Sequence, residues 1–472
     1  MNLSLNRQSV MFKILSEEIP YQACSDRLFD CLRDLPDAIW LDSGKPLSLQ
    51  GRYDIISACP VSTIETNGKH SVIKTDGTSK KSDKNPFDIA TQMLSELQPI
   101  EVKPNTPFTC GLAGYFGYDL GRQVASISSN NLSTTTLPDM RLGLYLWSIV
   151  VDHELRKTTM CFHSSCDREL ITQIIKRTQK SCNVATTRGF TLDGQFKPTI
   201  SKERYKQDIG KIKHYIAEGD CYQVNYAQHL SAPFKGDLWA AYLSLRNANP
   251  APYSAYMKWN DQGILCLSPE RFIQAKLDNG NIKAETKPIK GTVLRGKTVE
   301  EDQENAIRLL NSDKDRAENL MIVDLLRNDL GKSCIAGSIK VPKLFDLESF
   351  PNVHHLVSTV TGTVKTDSSP LRLLEGCFPG GSITGAPKKR SMEIINELEP
   401  VQRSIYCGSI GYICASNQMD TNIAIRTVAA DNTTLHCWGG GGIVADSDAN
   451  SEFEESMNKI RLILDTLEAN KN

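Results

Sequence analysis

Strands and helices arrive in unequal blocks along this 472-residue chain, and that ordering is the tightest limit on its fold. A doubly wound parallel sheet needs strand and helix to alternate strictly. Here the segments 38–41, 53–58, 71–75 and 108–118 read as strands, followed by a hairpin of 142–152 with 157–164. One helix, 86–97, interrupts them, with Ile89, Met93 and Leu97 at helical spacing. A polar interval, 181–197, is the linker read between an N-terminal region (1–185) and a second region (198–467). The second region starts with a helix, 201–218, capped by Ser201 and stopped by Gly219. Strands 221–228 and 263–268 follow. Thr298 and Glu301 form a capping box opening a helix to 310, and 313–330 is a further helix ended by Gly331. A glycine-rich loop (378–388), strands at 409–415 and 422–429, and a last helix opened by Ser451 and Glu454 complete the chain. The fold class read from this order is α+β rather than a doubly wound sheet.

Composition excludes several functions. A net charge of -1 and a pI near 6.7 give no basic field for nucleic acid or an anionic membrane. No run approaches the ~18 apolar residues that span a bilayer, and Met1 to Tyr21 has no apolar signal core. The 14 cysteines contain no Cys-x-x-Cys pair, so zinc frameworks and secreted disulfide scaffolds are disfavoured. Free thiols in a cytoplasmic protein are the expectation.

Chemistry concentrates in a few places. In Lys287-Pro288-Ile289-Lys290-Gly291-Thr292, a lysine at a strand end is held between Pro288 and Gly291. Glu270 follows Pro269 at another strand end. Together the two suit a nucleophile and a general acid, or an ordinary salt bridge. Asp315 with Glu318, and Glu452 with Glu455, are acidic pairs spaced three apart on helices, each pair on one face. Oxygen ligands without His or Cys suit Mg²⁺, and equally complement helix dipoles. The glycine clusters at 380–385 and 439–442 fit anion-binding turns or plain turns, and neither is a P-loop.

Taken in order, these motifs resemble the chorismate-utilising enzymes. They are Tyr222-Gln-Val-Asn225, Ser268-Pro-Glu-Arg-Phe272, Pro288-Ile-Lys-Gly-Thr292 and Ala317-Glu-Asn-Leu-Met-Ile-Val-Asp-Leu325. The series continues with His355-Leu-Val-Ser358, Gly385-Ala-Pro-Lys388, Ile425-Arg-Thr427, Gly442-Ile-Val-Ala-Asp-Ser447 and Glu452-Phe-Glu-Glu455. Gly51-Arg-Tyr-Asp-Ile55 and Gly111-Leu-Ala-Gly-Tyr-Phe-Gly-Tyr-Asp-Leu-Gly121 resemble the family's N-terminal region. The resemblance implies an anthranilate synthase component I-like fold, two antiparallel sheets packed as a sandwich with helices on the outside.

It also implies chemistry. Water-adding members carry a lysine where this chain has Gln223, and a carboxamide is no base. Members that aminate the ortho position carry alanine where this chain has Lys290. The combination implies amination of chorismate at ring carbon 4, toward para-aminobenzoate and folate. By the same resemblance, Lys290 adds to carbon 2 and Glu270 protonates the departing hydroxyl. Lys290 has to be neutral to attack, and burial near a bound cation favours that. Glu318 and Glu455 hold Mg²⁺, with Asp315 and Glu452 supporting. Arg426, Tyr412, Lys459, Gly441, Gly442, Thr384, His355 and Gln223 line the substrate site. Ammonia comes from a glutamine amidotransferase subunit in a heterodimer. Ser43, Pro252, Tyr253 and Ser254 resemble a tryptophan pocket. The rival expectations are an anthranilate synthase large subunit and a catalytically silent subunit that binds chorismate or tryptophan.

Overall fold

The computed structural model describes residues 11–48, 51–103, 106–128, 131–179, 189–349 and 353–469. Two antiparallel sheets, of 13 and 12 strands, carry helices on the outside, as the resemblance implies. Both sheets run through strands of both sequence regions. In the first, Ile39–Asp42 pairs with Tyr253–Trp259; in the second, Gly111–Phe116 pairs with Ser409–Cys414. At the first seam Phe29, Trp40, Trp239, Tyr242 and Tyr256 interlock, with Trp40 and Trp239 ring centroids 5.6 Å apart. These rings are all buried, so the seam is core rather than interface. Among the described residues no helix is long and apolar enough to cross a membrane.

Several boundaries differ from the sequence expectation, each for a local reason. The run 142–152 is two strands: Met140–Tyr145 lies in the second sheet and Trp147–Asp152 in the first. Both are buried along their whole length, so no polar turn marks the crossing at Leu146. The helix Asp313–Ser333 runs past Gly331, which keeps a helical backbone, and stops where Cys334 turns extended. The last helix, Ala449–Glu468, begins before Ser451, because Asp448 accepts the Ser451 N–H at 2.9 Å and is the true cap. Gly439 to Gly442 form no turn; they lie within the strand Thr434–Ile443. The segment 422–429 is broken, with Met419–Asn422 and Thr427–Asp431 in different sheets and Arg426 at φ 51° between them. In the interval 181–197, residues 181–188 lie outside the described part, and Thr191–Leu192 and Lys197–Pro198 pair with Gln223–Lys235. Among the described residues twelve cysteines are free, as expected, whereas Cys31 is disulfide-bonded.

Candidate functional site

Lys290 owes its position to a bulge. The strand Ile289–Leu294 pairs with Val353–Thr363, and the register shifts between Lys290 and Thr292. Gly291 is the extra residue, at φ 75°, where an added Cβ would lie 2.9 Å from Leu309 and 3.0 Å from Asp315. The bulge aims Lys290 inward, and its side chain is 13% exposed. Its Nζ lies 3.0 Å from Glu318 Oε1 and donates to the Ser382 carbonyl at 3.3 Å. The same Glu318 oxygen accepts Gln223 Nε2 at 2.9 Å. Burial would raise the Glu318 carboxyl, but Lys290 and Gln223 outweigh it and hold it below its ordinary range.

Glu270 sits where Gln262–Ser268 gives way to Arg271–Asp278, 8% exposed. Ser382 Oγ donates to Glu270 Oε1 at 3.1 Å. Burial pushes this carboxyl up to about 7, against the pull of Lys290, Ser382 and Lys459. A carboxyl that titrates near neutrality can hold a proton and release it, which general acid catalysis needs. Ser382 thus touches Lys290 through its carbonyl and Glu270 through its hydroxyl. Sequence reasoning missed it; its only signal was membership of the glycine-rich loop, which folds as a 3₁₀ turn, Gly381–Ile383.

Glu318 and the Glu452–Glu455 pair converge on the glycine strand. A Cβ built on Gly441 would lie 3.3 Å from Lys459 Nζ, 3.5 Å from Glu452 Oε2 and 3.8 Å from Glu455 Oε1. One built on Gly442 would lie 1.9 Å from Gln223 Nε2 and 3.4 Å from Glu318 Oε1. Lys459, beside Glu452 and Glu455, also acts on the Glu318 carboxyl, so these groups share one strand end. Lys459 pairs with Glu455 at 2.8 Å and donates to the Gly440 carbonyl at 3.1 Å. Glu452 accepts Ser447 Oγ at 2.6 Å, and burial raises its carboxyl. Asp315 packs against Gly291 instead. Among the described residues no three His, Cys, Asp or Glu side chains form a ready cage. Mg²⁺ needs none, because it takes one or two carboxylates and completes its shell with water and substrate. Three hard carboxylates around one strand end fit that chemistry.

Arg426 stands at the left-handed break noted above, and burial lowers its pKa with no carboxylate among the described residues to offset it. A deeply placed guanidinium without an acidic partner is what a ligand carboxylate requires. Its charge acts on His355, which burial and Arg426 push down to about 4, so the ring is neutral; Nδ1 is 2.8 Å from Thr292 Oγ1. Thr384 is fully buried, and its hydroxyl donates to the Gly380 carbonyl at 2.9 Å.

Tyr412 is not in this group. The strand Ser409–Cys414 turns it into a second cavity, of about 760 Å³, where its ring is 5.3 Å from Phe108. A motif carries no strand register, so resemblance alone could not tell which face it occupies. Pro252, Tyr253 and Ser254 line that second cavity with Asp42, Arg52 and Asp420. Ser43 is buried behind the wall, its N–H donated to Asp54 at 2.7 Å. Arg271 also lines it, ion-paired with Asp420 at 3.0 Å and 5.2 Å over the Tyr253 ring. Arg271 directly follows Glu270, so this cavity adjoins the strand end that carries Glu270.

Comparison with known proteins covers both regions. The family described as chorismate binding enzyme matches residues 37–465. Aminodeoxychorismate synthase component 1 of Escherichia coli K12 is 42% identical over 95% of this chain and 97% of its own length. Anthranilate synthase component 1 of Synechocystis is 33% identical over 95% of this chain and 92% of its own. Among solved structures, anthranilate synthase component I from Streptococcus pneumoniae superposes with a TM-score of 0.77 at 30% identity, covering 88% of this chain and 93% of that one. The menaquinone-specific isochorismate synthase of Escherichia coli, 18% identical, has the same fold at a TM-score of 0.71 over 96% of this chain and 94% of its own.

Proposed function

This chain belongs to the chorismate-binding enzyme family, and on that premise we propose that it is the synthase component of aminodeoxychorismate synthase. It converts chorismate and ammonia into 4-amino-4-deoxychorismate, the precursor of para-aminobenzoate. The observation that carries this is the Lys290–Ser382–Glu270 arrangement: an amine and a near-neutral carboxyl held by one serine, at 3.3 and 3.1 Å. The Lys290 nitrogen bonds to ring carbon 2, the diene electrons shift, and the carbon 4–oxygen bond breaks. Glu270 supplies the proton, so the hydroxyl leaves as water. Ammonia then bonds to carbon 4 while the bond from carbon 2 to Lys290 breaks and its electron pair returns to the lysine. Dividing one difficult displacement into two is the benefit of covalent catalysis.

Arg426 holds a substrate carboxylate, and Lys459 with the backbone of Gly441 and Gly442 supports it. Neutral His355 and buried Thr384 shape the wall between. Glu318 and Glu455 would hold Mg²⁺, with Glu452 in support; when bound, the ion would neutralise the ring carboxylate and draw electron density from the ring. Lys290 and Lys459 contact the same carboxylates, Glu318 at 3.0 Å and Glu455 at 2.8 Å. A glutamine amidotransferase subunit supplies the ammonia, in keeping with the component naming of the relatives. Tryptophan, as zwitterion plus indole, suits the second cavity, whose wall combines charged groups with the Tyr53 and Tyr253 rings. The reaction belongs to the cytoplasm.

The test is product identity with chorismate, Mg²⁺ and ammonium. We expect 4-amino-4-deoxychorismate. Fluorescent anthranilate appearing without added lyase would overturn the reading in favour of ortho amination.

A further inference from the structure

The helix Asp313–Ser333 carries a buried polar residue that the mechanism above does not use. Asn319 directly follows Glu318 and is fully buried. Asparagine is a weak former of helix interiors and buries little apolar surface, so its place there needs another cause. Its Nδ2 donates to the Leu356 carbonyl at 3.3 Å, and its Oδ1 accepts Ser358 Oγ at 2.5 Å. The first bond fixes the amide orientation, since the reverse would set oxygen against a carbonyl. Leu356 is the ladder partner of Lys290, and the Ser358 N–H donates to the Pro288 carbonyl at 3.3 Å. The fully buried Ser358 hydroxyl also accepts the Phe345 N–H at 3.1 Å. Phe345 lies in an irregular stretch of its strand at φ 58°, a strained backbone for a bulky residue, kept only where the surroundings hold it. Arg316, one turn before Asn319, stands 5.0 Å over the Phe345 ring. Asn319 and Ser358 thus tie the helix of Glu318 to the strand of Lys290.

We propose that Asn319, acting through Ser358, is a positioning residue that sets the separation of Glu318 from Lys290, a proposal that rests on the amination reaction above. In that reaction the ring carboxylate lies toward Glu318 and carbon 2 lies toward Lys290. One ring carbon joins the two, so covalent bonds fix their spacing in the substrate, and the spacing of helix and strand has to match it. Lys290 Nζ stands 3.0 Å from Glu318 Oε1. Reacting atoms meet productively at about 3–3.5 Å, and a misplacement of about 1 Å costs about a hundredfold in rate. The substrate contacts of Arg426 and Lys459 come from other parts of the chain. Slack between the helix and the Lys290 strand therefore falls on turnover far more than on affinity for chorismate.

The experiment sets kcat, with chorismate, Mg²⁺ and saturating ammonium, beside calorimetric binding of chorismate in Mg²⁺. Ser358→Ala, which removes one oxygen, should lower kcat about tenfold to a hundredfold. Asn319→Ala should lower it at least as far. In both, the chorismate Kd should stay within about threefold and the binding stoichiometry should not change. The double variant should be no slower than Asn319→Ala within about twofold, because the two residues act through one bond. If Asn319→Ala does not fold, the Ser358→Ala measurement decides alone. A kcat within about twofold of the unaltered protein in Ser358→Ala overturns the proposal, as does a Kd weakened by the same factor as kcat. A stoichiometry that falls in step with kcat reports lost folded protein rather than lost positioning and overturns it too, as do losses that multiply in the double variant. If the unaltered protein makes no 4-amino product at all, the parent reading fails instead.

Discussion

Replacing Ser382 by alanine isolates one hydrogen bond at the Glu270 carboxyl, the proposed general acid. The Oγ–H donated to Glu270 Oε1 at 3.1 Å stabilises the carboxylate, whereas the contact to Lys290 uses the Ser382 carbonyl, which alanine keeps. A hydrogen bond to a charged group is worth ~1.5–3 kcal/mol. At 1.36 kcal/mol per pH unit that corresponds to about one to two units. Lys290 and Lys459 still draw the carboxyl down, so we expect a rise of about one unit above its starting value of about 7. Glu270 acts in its protonated form, so activity falls as pH rises through its pKa. Ser382→Ala should therefore move the alkaline limb of kcat/KM for chorismate about one unit higher. The assay is initial rate against pH at fixed free ammonia, because ammonium itself titrates across the range. An unmoved limb, or a shift to lower pH, would refute the assignment of Glu270 as the acid.

Other consequences follow from the same geometry. Glu270→Gln should inactivate yet stabilise. The folded pKa of about 7 lies above the ordinary glutamate value of about 4.5, so the protonated carboxyl favours the fold fully below about pH 4.5 and that stability is lost as pH rises to about 7. Denaturant titration at pH 8 should show the glutamine variant more stable by on the order of 1–3 kcal/mol, and no difference near pH 4. Arg426→Ala should raise KM for chorismate by roughly 10- to 100-fold, the worth of a charged hydrogen bond to a carboxylate, measured by steady-state kinetics. Arg403→Met should cost about 3–5 kcal/mol in chemical denaturation. It strands Glu399, which is buried and bonded to Arg403 at 2.6 Å, and frees the Asn225 and Ile383 carbonyls that Arg403 also binds.

The sequence exposed the fold class through element order, because strand and helix periodicities differ and unequal blocks rule out strict winding. It exposed the site through residue types at fixed spacing: Lys290 beside Gly291, Glu270 at a strand end, and acids three apart on two helices. Spatial partnership was beyond it. Nothing local in Glu318 and Glu455 says that they meet at neighbouring glycines of one strand, because the strand Thr434–Ile443 brings them there. Facing was equally hidden. Tyr412 has the right chemistry for an anion site, yet strand pleat turns it to the second cavity. Ser382 was obscured differently. Its function lies in a 3₁₀ turn that presents a carbonyl and a hydroxyl to two partners, and neither property is written in a Gly-Gly-Ser-Ile string. Buried continuous runs such as 140–152 conceal a change of sheet, because both faces are buried on either side of Leu146.

The account turns on Lys290 as nucleophile, and product analysis of Lys290→Ala tests it most directly. With chorismate, Mg²⁺ and saturating ammonium, formation of 4-amino-4-deoxychorismate should fall at least about a thousandfold, roughly 4 kcal/mol of barrier, while calorimetry still records Mg²⁺-dependent chorismate binding. Turnover to the same product at the unaltered rate would contradict it.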